Sequence, residues 1–486
     1  NINSPMGKVV YKKIVFIVTL CIILLVISSV IIIPAIKKFN LIRAISEIQL
    51  NEKFENAIVS VTAKYEGEKN YLINYNSNDF IHPGSNFKLF TAAASLMYLG
   101  QDYTFSTRLF LKMEEDGRKS LVLKGSGDPT LNKSHLESFI VHLKDYVQKN
   151  GPFNGDLFYD ESIFSGEKYG PGWLSEWKNQ YFAVPISGLQ LNDNLIEVMG
   201  IENADNSFEI STEPLENYSP IVNQLNYINF LKDMKNEISA YIDNEILYIN
   251  GDTVKNSPFH TSAVIKDPAK FTAEVFKQIL VKENIINSDA KIINIKYTTP
   301  SQIIYEHKSV PLKDIIYRML KFSKNNYAET LIRTLGYEIK GEGSQEKGVQ
   351  VLKEFFKEIE ILEQVDAFDG SGMSIKTRAT GDAFLSLFDF LSTQKWMEIF
   401  WKSLPQSNVD GTLKRRFANA QPDFVVLAKT GTHLHSSSLS GKILKKRGRN
   451  IIFSVHIFNH PFLSEESTIK VNPLIDKIVE MLNEQF

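Results

Sequence analysis

A serine and a lysine near the start of the chain have the types and spacing of a nucleophile and its base. Ser85 and Lys88 lie three positions apart in HPGSNFKLFTAAASLMYLG, residues 82–100, and residues at i and i+3 are neighbours on a helix. The apolar, alanine-rich run after the Pro-Gly turn predicts a buried helix over 89–99. The spacing alone is a weak signal, because it recurs at Ser165, Ser344 and Ser392.

Two further motifs, each unique in the chain, supply the other groups that such a reaction needs. They are a Ser-x-Asn motif at residues 323–325 and a Lys-Thr-Gly motif at residues 429–431. Each alone also fits ordinary structure, a polar helix junction in the first case and a strand end in the second. Their occurrence together, in the order SxxK, SxN, KTG, favours one shared site.

The chemistry of a serine nucleophile explains why one site would need all three motifs. A serine hydroxyl is a weak nucleophile without a base within hydrogen-bonding reach. Lys88 can take the proton of Ser85 only when its amine is neutral, which burial and a second cation, Lys429, would favour. Ser323 can relay that proton to a leaving nitrogen. Asn325 can hold both Lys88 and a substrate carbonyl with its two-ended amide.

The Lys-Thr-Gly motif would bind the end of the substrate. Lys429 and Thr430 offer a positive charge and a hydrogen-bond donor for a terminal carboxylate, and Gly431 would leave the strand edge bare for the substrate. The backbone N–H groups of Ser85 and Thr432 would form an oxyanion hole. The three motifs together therefore predict acyl transfer to serine.

The elements that would position these motifs come from both ends of the chain. Strands are predicted at 57–65, 71–75, 423–430, 438–444 and 451–458, and helices at 41–53, 269–281, 311–337 and 473–483. We expect the two ends to form halves of one antiparallel sheet with helices. The middle, with short strand-like runs between turns, would be an insertion. The predicted domains are an anchor at 1–38, a catalytic domain at 47–102 and 263–486, and an inserted region at 103–262.

Composition limits the classes of protein to consider. The chain has 486 residues, with 43% hydrophobic and 23% charged residues, which indicates a globular protein of two or three domains. A net charge of −2 gives no basic excess for a nucleic-acid partner. A single cysteine, Cys21, excludes an intrachain disulfide and a cysteine-based zinc site. The histidine pairs lack a third ligand at metal spacing, so no metal is expected.

An apolar run near the N-terminus predicts a membrane anchor. Ile14 to Ile33 is a run of 20 residues without a charge, about the length that crosses a bilayer as a helix. A cleaved signal peptide fits less well, because the run is long and no small-x-small site follows it. Lysines lie on both sides of the run, so charge does not decide the orientation. We expect a single-pass protein of the cytoplasmic membrane.

The ordered motifs resemble those of penicillin-binding proteins and serine β-lactamases. From about residue 47 to the end, the chain resembles the D-Ala-D-Ala carboxypeptidase/endopeptidase family of class C low-molecular-mass penicillin-binding proteins, peptidase family S13. The large insertion between the first two motifs is a trait of that family and argues against a β-lactamase. The sequence motifs that carry the resemblance are GSGDPTL at 125, GPGW at 170, DPAKFTAEVF at 267, NNYAETLIRTLG at 325, DGSGMS at 369, DGTLKRR at 410 and AKTGT at 428.

The resemblance implies a fold and an activity. The fold would be α/β (α+β), a transpeptidase-like domain with an antiparallel sheet and flanking helices, interrupted by a large, mostly β insertion. The activity would be that of a serine-type D-Ala-D-Ala carboxypeptidase or DD-endopeptidase, which cleaves peptidoglycan stem peptides ending in D-Ala-D-Ala through an acyl-enzyme on Ser85. Because that substrate lies outside the cytoplasmic membrane, the catalytic domain would be extracytoplasmic. β-Lactams would be covalent inhibitors, and no cofactor is implied.

Some positions depart from the family pattern or have an open role. Lys324 stands where relatives usually have aspartate, Ile375 where some have arginine, and His433 where an aliphatic residue is common. The resemblance implies that Asp160 faces the cleft and binds an amino-bearing side chain of the substrate, although an ordinary turn aspartate fits its sequence equally well.

Two alternatives to a hydrolase stay open at this point. One is a catalytically weak, membrane-anchored protein that binds or scaffolds the cell wall with the same fold. The intact motif residues argue against it. The other is a transpeptidase, which would use the same acyl-enzyme.

The motif assignment predicts where a penicillin reacts. Mass spectrometry after penicillin treatment should find one covalent adduct, on Ser85, because only this serine is coupled to the other two motifs. Serines of other Ser-x-x-Lys matches, among them Ser165, Ser344 and Ser392, are internal controls. An adduct on one of these, or no adduct, would contradict the assignment.

Overall fold

The computed structural model describes residues 5–28, 32–50, 52–203, 208–228, 237–254, 257–299, 301–418, 420, 424–446 and 448–486. The helices are α1 (Pro5–Ile27), α2 (Ile33–Gln49), α3 (Lys88–Tyr98), α4 (Lys133–Asn150), α5 (Pro268–Lys282), α6 (Leu312–Phe322), α7 (Asn325–Lys340), α8 (Gln345–Glu358), α9 (Gly381–Ser392), α10 (Met397–Ser403), α11 (Ser464–Lys470) and α12 (Asn472–Gln485).

The strands are shorter and fall into five sheets. They are β1 (Ile58–Tyr65), β2 (Tyr71–Tyr75), β3 (Ser106–Met113), β4 (Lys119–Lys124), β5 (Leu157–Asp160), β6 (Leu195–Glu202), β7 (Phe208–Glu213), β8 (Ile221–Ile228), β9 (Glu237–Asp243), β10 (Ile246–Val254), β11 (Phe259–Val264), β12 (Ile292–Asn294), β13 (Ile303–Lys308), β14 (Val365–Asp366), β15 (Arg378–Ala379), β16 (Val425–His433), β17 (Ser436–Leu444) and β18 (Ile451–Phe458).

The main sheet joins the two ends of the chain, as predicted. Its order is β16-β17-β18-β1-β2, and all neighbours are antiparallel. β1 pairs with β18 along its whole length, from Ile58 opposite Phe458 to Tyr65 opposite Ile451. Because side chains alternate between the two faces of a strand, the sheet contributes buried side chains to helices on both sides.

The two faces of the main sheet have different helical covers. α2 and α12 pack on one face, with Val59 and Val61 of β1 in that core. α3 and α6 to α10 form the core on the other side, which contains the buried face of the Ser85 helix. The predicted helical segment 311–337 is two helices, because Ser323 at the end of α6 is in the left-handed region with φ 59°.

A second unit lies between the two halves of the main sheet in sequence. It contains a five-stranded sheet of order β12-β5-β4-β3-β13 and two three-stranded sheets, β8-β10-β9 and β11-β6-β7. Its core includes side chains of α4 and α5. The predicted boundary at 262/263 therefore needs correction: β13 pairs with β3, and β12 with β5, so the chain returns to the main sheet's side only after Lys308.

The N-terminal segment was predicted to cross a membrane over residues 14–33. That range includes residues 29–31, which lie outside the described residues. In the part of the chain that the structure describes, no helix has both the length and the apolar character for a membrane span.

Candidate active site

The predicted nucleophile and base lie in direct contact at the start of α3. Ser85 is in a 3-10 turn, Gly84–Phe87, and Lys88 is the first residue of the helix. Lys88 Nζ lies 2.7 Å from Ser85 Oγ and donates a hydrogen bond of 3.0 Å to the carbonyl oxygen of Ser371. The Lys88 side chain is fully buried, whereas Ser85 is partly accessible. The turn thus places an accessible hydroxyl over a buried amine.

Burial changes the acid–base behaviour of Lys88. Loss of hydration lowers the pKa of Lys88 to about 7, although the nearby carboxylates of Asp369 and Glu329 act in the opposite direction. An ordinary lysine stays protonated near neutral pH. Lys88 is therefore a base that can be neutral at physiological pH.

The second and third motifs meet through Lys429. Its ammonium donates hydrogen bonds to Ser323 Oγ at 3.0 Å and to its neighbour Thr430 O at 2.8 Å. Lys429 is fully buried, and its pKa lies well below the ordinary value because of burial and then because of the charge of Lys88. The strand that carries Lys429 packs against the turn that carries Ser85, so the three motifs form one cluster.

Two glycines let the Lys-Thr-Gly strand approach the Ser85 turn. A Cβ atom on Gly431 would lie 2.2 Å from the carbonyl oxygen of Pro83 and 2.1 Å from Ser438 Oγ. Gly84 has φ +53°, and a Cβ atom there would lie 3.0 Å from the backbone nitrogen of Thr432. The space beside Gly431 is therefore filled by the Ser85 turn and by β17. The contact at Gly84 places the backbone N–H of Thr432 beside the nucleophile's turn.

Thr430 and Thr432 occupy the accessible part of the same strand. Thr430 Oγ1 lies 2.8 Å from Thr412 Oγ1, in the DGT stretch at 410–412, and Thr432 is exposed. A hydroxyl and an N–H at this edge can meet a substrate carboxylate or carbonyl.

Asn325 follows Ser323 and Lys324 in the motif, and its hydrogen bonds within the described residues do not go to Lys88. Its amide nitrogen donates to the carbonyl oxygen of Phe182 at 2.7 Å and to Met373 Sδ at 2.8 Å. Its Oδ1 is buried and has no hydrogen-bond partner within the described residues. The predicted bridge to Lys88 is thus not made, because the amide is turned towards the inserted unit, where an acceptor carbonyl is available.

The structure does not bring Asp160 to this cluster. Asp160 ends β5 and is fully buried, with its carboxylate 3.0 Å from the ammonium of Lys124. The same carboxylate accepts hydrogen bonds from the backbone nitrogens of Ser162 at 2.8 Å and Tyr297 at 2.9 Å. These contacts lie within the inserted sheet and its loops, so they correct the prediction that Asp160 faces the cleft.

A loop that sequence reasoning did not assign to the site, residues 369–374, holds Lys88 in place. Asp369 is its centre: the carboxylate accepts from the backbone nitrogen of Ser374 at 2.6 Å and from Trp173 Nε1 at 3.1 Å. The sequence of this loop, DGSGMS, is one of the motifs that carry the family resemblance, and this motif was the signal by which the loop could have been assigned to the site.

Glu329 of α7 also holds this loop, by hydrogen bonds to its backbone. Its fully buried carboxylate accepts from the backbone nitrogens of Gly370 at 3.0 Å and Ser371 at 2.8 Å. Burial and the charge of Asp369 raise the pKa of Glu329 to about 7. By holding these amides, Glu329 sets the position of the Ser371 carbonyl that faces Lys88.

Two stacked histidines join the loop to the Lys-Thr-Gly strand. His82 and His433 have ring centroids 3.8 Å apart. Their Nε2 atoms donate to the carbonyl oxygens of Ser374 and Met373, both at 2.9 Å. Burial lowers the pKa of both rings. The departure at His433 therefore has a structural role beside the cluster. Within the described residues, no group of three or more His, Cys, Asp or Glu side chains is arranged to hold a metal ion.

Two known proteins to which the chain is similar over most of its length are D-alanyl-D-alanine carboxypeptidases. The chain is 25% identical over 446 residues to the D-alanyl-D-alanine carboxypeptidase DacB of Haemophilus influenzae, which covers 89% of this chain and 92% of that protein. It is 24% identical over 426 residues to the D-alanyl-D-alanine carboxypeptidase of an Actinomadura species, with 82% and 78% covered.

The fold also matches a solved structure. The crystal structure of penicillin binding protein 4 from Haemophilus influenzae aligns with a TM-score of 0.76 at 24% identity, over 90% of this chain and 98% of that one. This likeness confirms the predicted fold class. The model of the D-Ala-D-Ala carboxypeptidase 3 (S13) family matches residues 41–481. Since that match takes in both halves of the main sheet, the inserted unit and all three motifs, the chain belongs to the D-Ala-D-Ala carboxypeptidase 3 (S13) family.

Proposed function

We propose that this protein is a serine-type D-Ala-D-Ala carboxypeptidase, or DD-endopeptidase, that acts on peptidoglycan stem peptides through an acyl-enzyme. The observation that carries the proposal is the contact of 2.7 Å between Ser85 Oγ and Lys88 Nζ, with Lys88 fully buried and its pKa lowered to about 7. Membership of the family and the carboxypeptidase names of its relatives support the same reaction.

Acylation begins with proton transfer from Ser85 to neutral Lys88. A neutral amine has two N–H bonds and one lone pair. The carbonyl of Ser371 takes one N–H at 3.0 Å, which leaves the lone pair for the hydroxyl. Ser85 Oγ then bonds to the carbonyl carbon of the scissile D-Ala-D-Ala peptide. The backbone N–H groups of Ser85 and Thr432 stabilise the oxyanion.

Collapse of this intermediate breaks the C–N bond. Ser323, 3.0 Å from Lys429 Nζ, gives its hydroxyl proton to the leaving amine and takes in its place the proton that Lys88 accepted from Ser85. D-alanine departs, and Lys88 is neutral again. Water then hydrolyses the ester, with Lys88 again taking the proton. Attack by the amine of a second peptide would be the transpeptidase outcome of the same intermediate.

The terminal carboxylate of the substrate would meet the edge formed by Lys429, Thr430 and Thr432. A bound carboxylate favours the charged form of Lys429, whose pKa is otherwise lowered by burial and by the charge of Lys88. Asn325, with an unpartnered buried Oδ1, would face an amide N–H of the substrate. β-Lactams, which acylate the same serine, would act as covalent inhibitors, and no metal or cofactor takes part in these steps.

The alternative of a catalytically weak cell-wall scaffold is not favoured, because a scaffold does not require a buried, pKa-lowered lysine against a serine hydroxyl. Release of D-alanine from a pentapeptide ending in D-Ala-D-Ala separates the two functions. A folded protein that neither releases D-alanine nor reacts with penicillin would favour the scaffold.

Acylation should depend on pH through Lys88. The base must be neutral, and its pKa is about 7, so the rate of penicillin acylation should rise with pH through about 7 and level off above it. Well below that pH, the rate should fall about tenfold for each unit. Stopped-flow labelling with a fluorescent penicillin measures the rate, with circular dichroism at each pH as the control for folding. A rate that is constant from about pH 6 to 9 would contradict this role.

Replacement of Lys429 should damage the reaction more than the fold. Lys429→Ala removes the cation for the substrate carboxylate and the partner of Ser323, so D-alanine release should fall at least about a hundredfold. Lys442→Ala is the matched control, because Lys442 is also a buried lysine of the main sheet but pairs with Glu66. The assay compares both variants with the wild type at equal folded fraction. Release by Lys429→Ala at the wild-type rate would remove Lys429 from the mechanism.

We also propose that residues 14–33 anchor the protein in the cytoplasmic membrane, with the catalytic part outside. Large apolar side chains of α1 are exposed, including Phe16 and Leu25, each at 68%. Exposed apolar area of this kind is unfavourable in water, and a bilayer would cover it. The location also fits the proposed substrate, which lies outside the membrane.

The anchor predicts a definite topology. Protease added to intact spheroplasts should digest the chain from about residue 39 onward, because this part would be external. A cytoplasmic marker protein in the same spheroplasts controls for leakage. Protection of the catalytic part while the spheroplasts are intact would place it inside and contradict the topology.

A further inference from the structure

An unusual turn of the inserted unit lies against the Ser-x-Asn motif. Asn192, Asp193 and Asn194 have φ values of 49°, 57° and 60°, three successive residues in the left-handed region. Asn and Asp visit this region more easily than other non-glycine residues, but normally one at a time. A run of three is held only where the surrounding structure determines it.

The turn is fixed from several sides. Asn194 Nδ2 donates to the carbonyl oxygen of Pro185 at 2.8 Å and to Gln190 Oε1 at 3.1 Å. Gln190 Nε2 in turn donates to Thr330 Oγ1 of α7 at 3.0 Å. Both Gln190 and Asn194 are buried. The turn is therefore tied to the same helix that begins with the Ser-x-Asn motif.

Asp193, at the centre of the turn, contacts the motif on both sides of Asn325. Its Oδ2 lies 2.8 Å from the ammonium of Lys324, and its Oδ1 accepts from Asn326 Nδ2 at 3.0 Å. The carboxylate thus lies at the N-terminal end of α7, where the helix dipole favours a negative charge. Lys324, the N-cap residue of this helix, makes no side-chain cap hydrogen bond of its own.

The residues held in this way determine where the Ser-x-Asn side chains point. Ser323 is itself in the left-handed region, with φ 59°, and Lys324 is extended, so the backbone reverses direction between α6 and α7. Asp193 holds Lys324 and Asn326, the residue inside the motif and the residue directly after it. Ser323 Oγ then stays 3.0 Å from Lys429 Nζ, in the position for its relay role.

We propose that Asp193 is a positioning residue for acylation: the inserted unit uses its left-handed turn to hold the Ser-x-Asn motif in register with Ser85 and Lys429. The inference rests on the proposed function. It also gives a role to Lys324, the middle residue of the motif, which reaches out of the cleft to the inserted unit. Among the described residues, the side-chain hydrogen bonds of Asp193 go to Lys324 and Asn326, and not to Ser85, Lys88, Lys429 or the proposed carboxylate edge.

The test compares the rate of acylation with stability in Asp193→Asn. Asparagine tolerates the left-handed backbone and nearly keeps the side-chain shape, so the variant should fold, but it loses the charge that holds Lys324. The side chains of Asp193 and Lys324 are 29% and 38% exposed, and a pair exposed to this degree adds little to stability. A misplacement near the reacting atoms, by contrast, costs rate steeply.

We expect Asp193→Asn to lower the limiting rate of acylation by benzylpenicillin at least about tenfold. The half-saturating concentration should change less than about twofold, and the melting temperature should change no more than in the control. Glu354→Gln is the matched control, because it breaks another partly exposed ion pair of α7, that with Lys340, far from the motif. The double variant with Lys324→Gln should be little slower than Asp193→Asn alone, since residues that act as a unit are not additive.

The outcomes separate this inference from the proposed function. If the wild type does not form a Ser85 adduct, the proposed function fails and the inference fails with it. If the wild type is acylated and Asp193→Asn reacts within about threefold of it, only the inference is overturned. An equal loss of rate in Glu354→Gln, or independent, multiplicative losses in the double variant, would also overturn it.

Discussion

The site depends on the burial of two neighbouring lysines. Removal from water lowers the pKa of both Lys88 and Lys429, and the charge of Lys88 lowers that of Lys429 further. Two such cations cannot both stay charged in a dry site at small cost. In the proposed mechanism, one amine is thereby kept available as a base beside Ser85, and the other becomes charged when a carboxylate binds. The remaining architecture can be understood as the means of keeping these amines buried, close and hydrogen-bonded.

Three separate parts of the chain build that enclosure. The main sheet brings its last strands against the first, so that β16 carries Lys429 to the turn of Ser85. Glycine at 84 and 431 allows the turn and the strand to approach within the space of a side chain. The loop 369–374 closes the other side. It is held by the buried carboxylates of Asp369 and Glu329, which raise the pKa of Lys88 against the larger lowering effect of burial.

The inserted unit is part of the site as well as a cover for it. Phe182 accepts the amide of Asn325, Trp173 donates to Asp369, and Asp193 holds the residues around Asn325. The inserted unit of this protein can therefore adjust the Ser-x-Asn motif from outside the catalytic sheet. Lys324 illustrates this. The middle position of the motif is not expected to take part in the chemistry, and here its ammonium pairs with Asp193 of the inserted unit.

Features that depend on local pattern and on residue type could be predicted from the amino-acid sequence. The strands that flank Ser85 and Lys429, the helix after Ser85 and the order of the three motifs follow from period, turn residues and the needs of a serine nucleophile. The sequence could not locate Asp160 or orient Asn325, because burial of a carboxylate and rotation of an amide depend on which distant groups offer partners. The end of the insertion could not be predicted from the sequence either, since β12 and β13 pair with strands more than a hundred residues earlier in the chain. The lowered pKa of Lys88 and the contact of 2.8 Å between Asp193 and Lys324 depend on the tertiary structure, because desolvation and this contact exist only after distant segments have packed together.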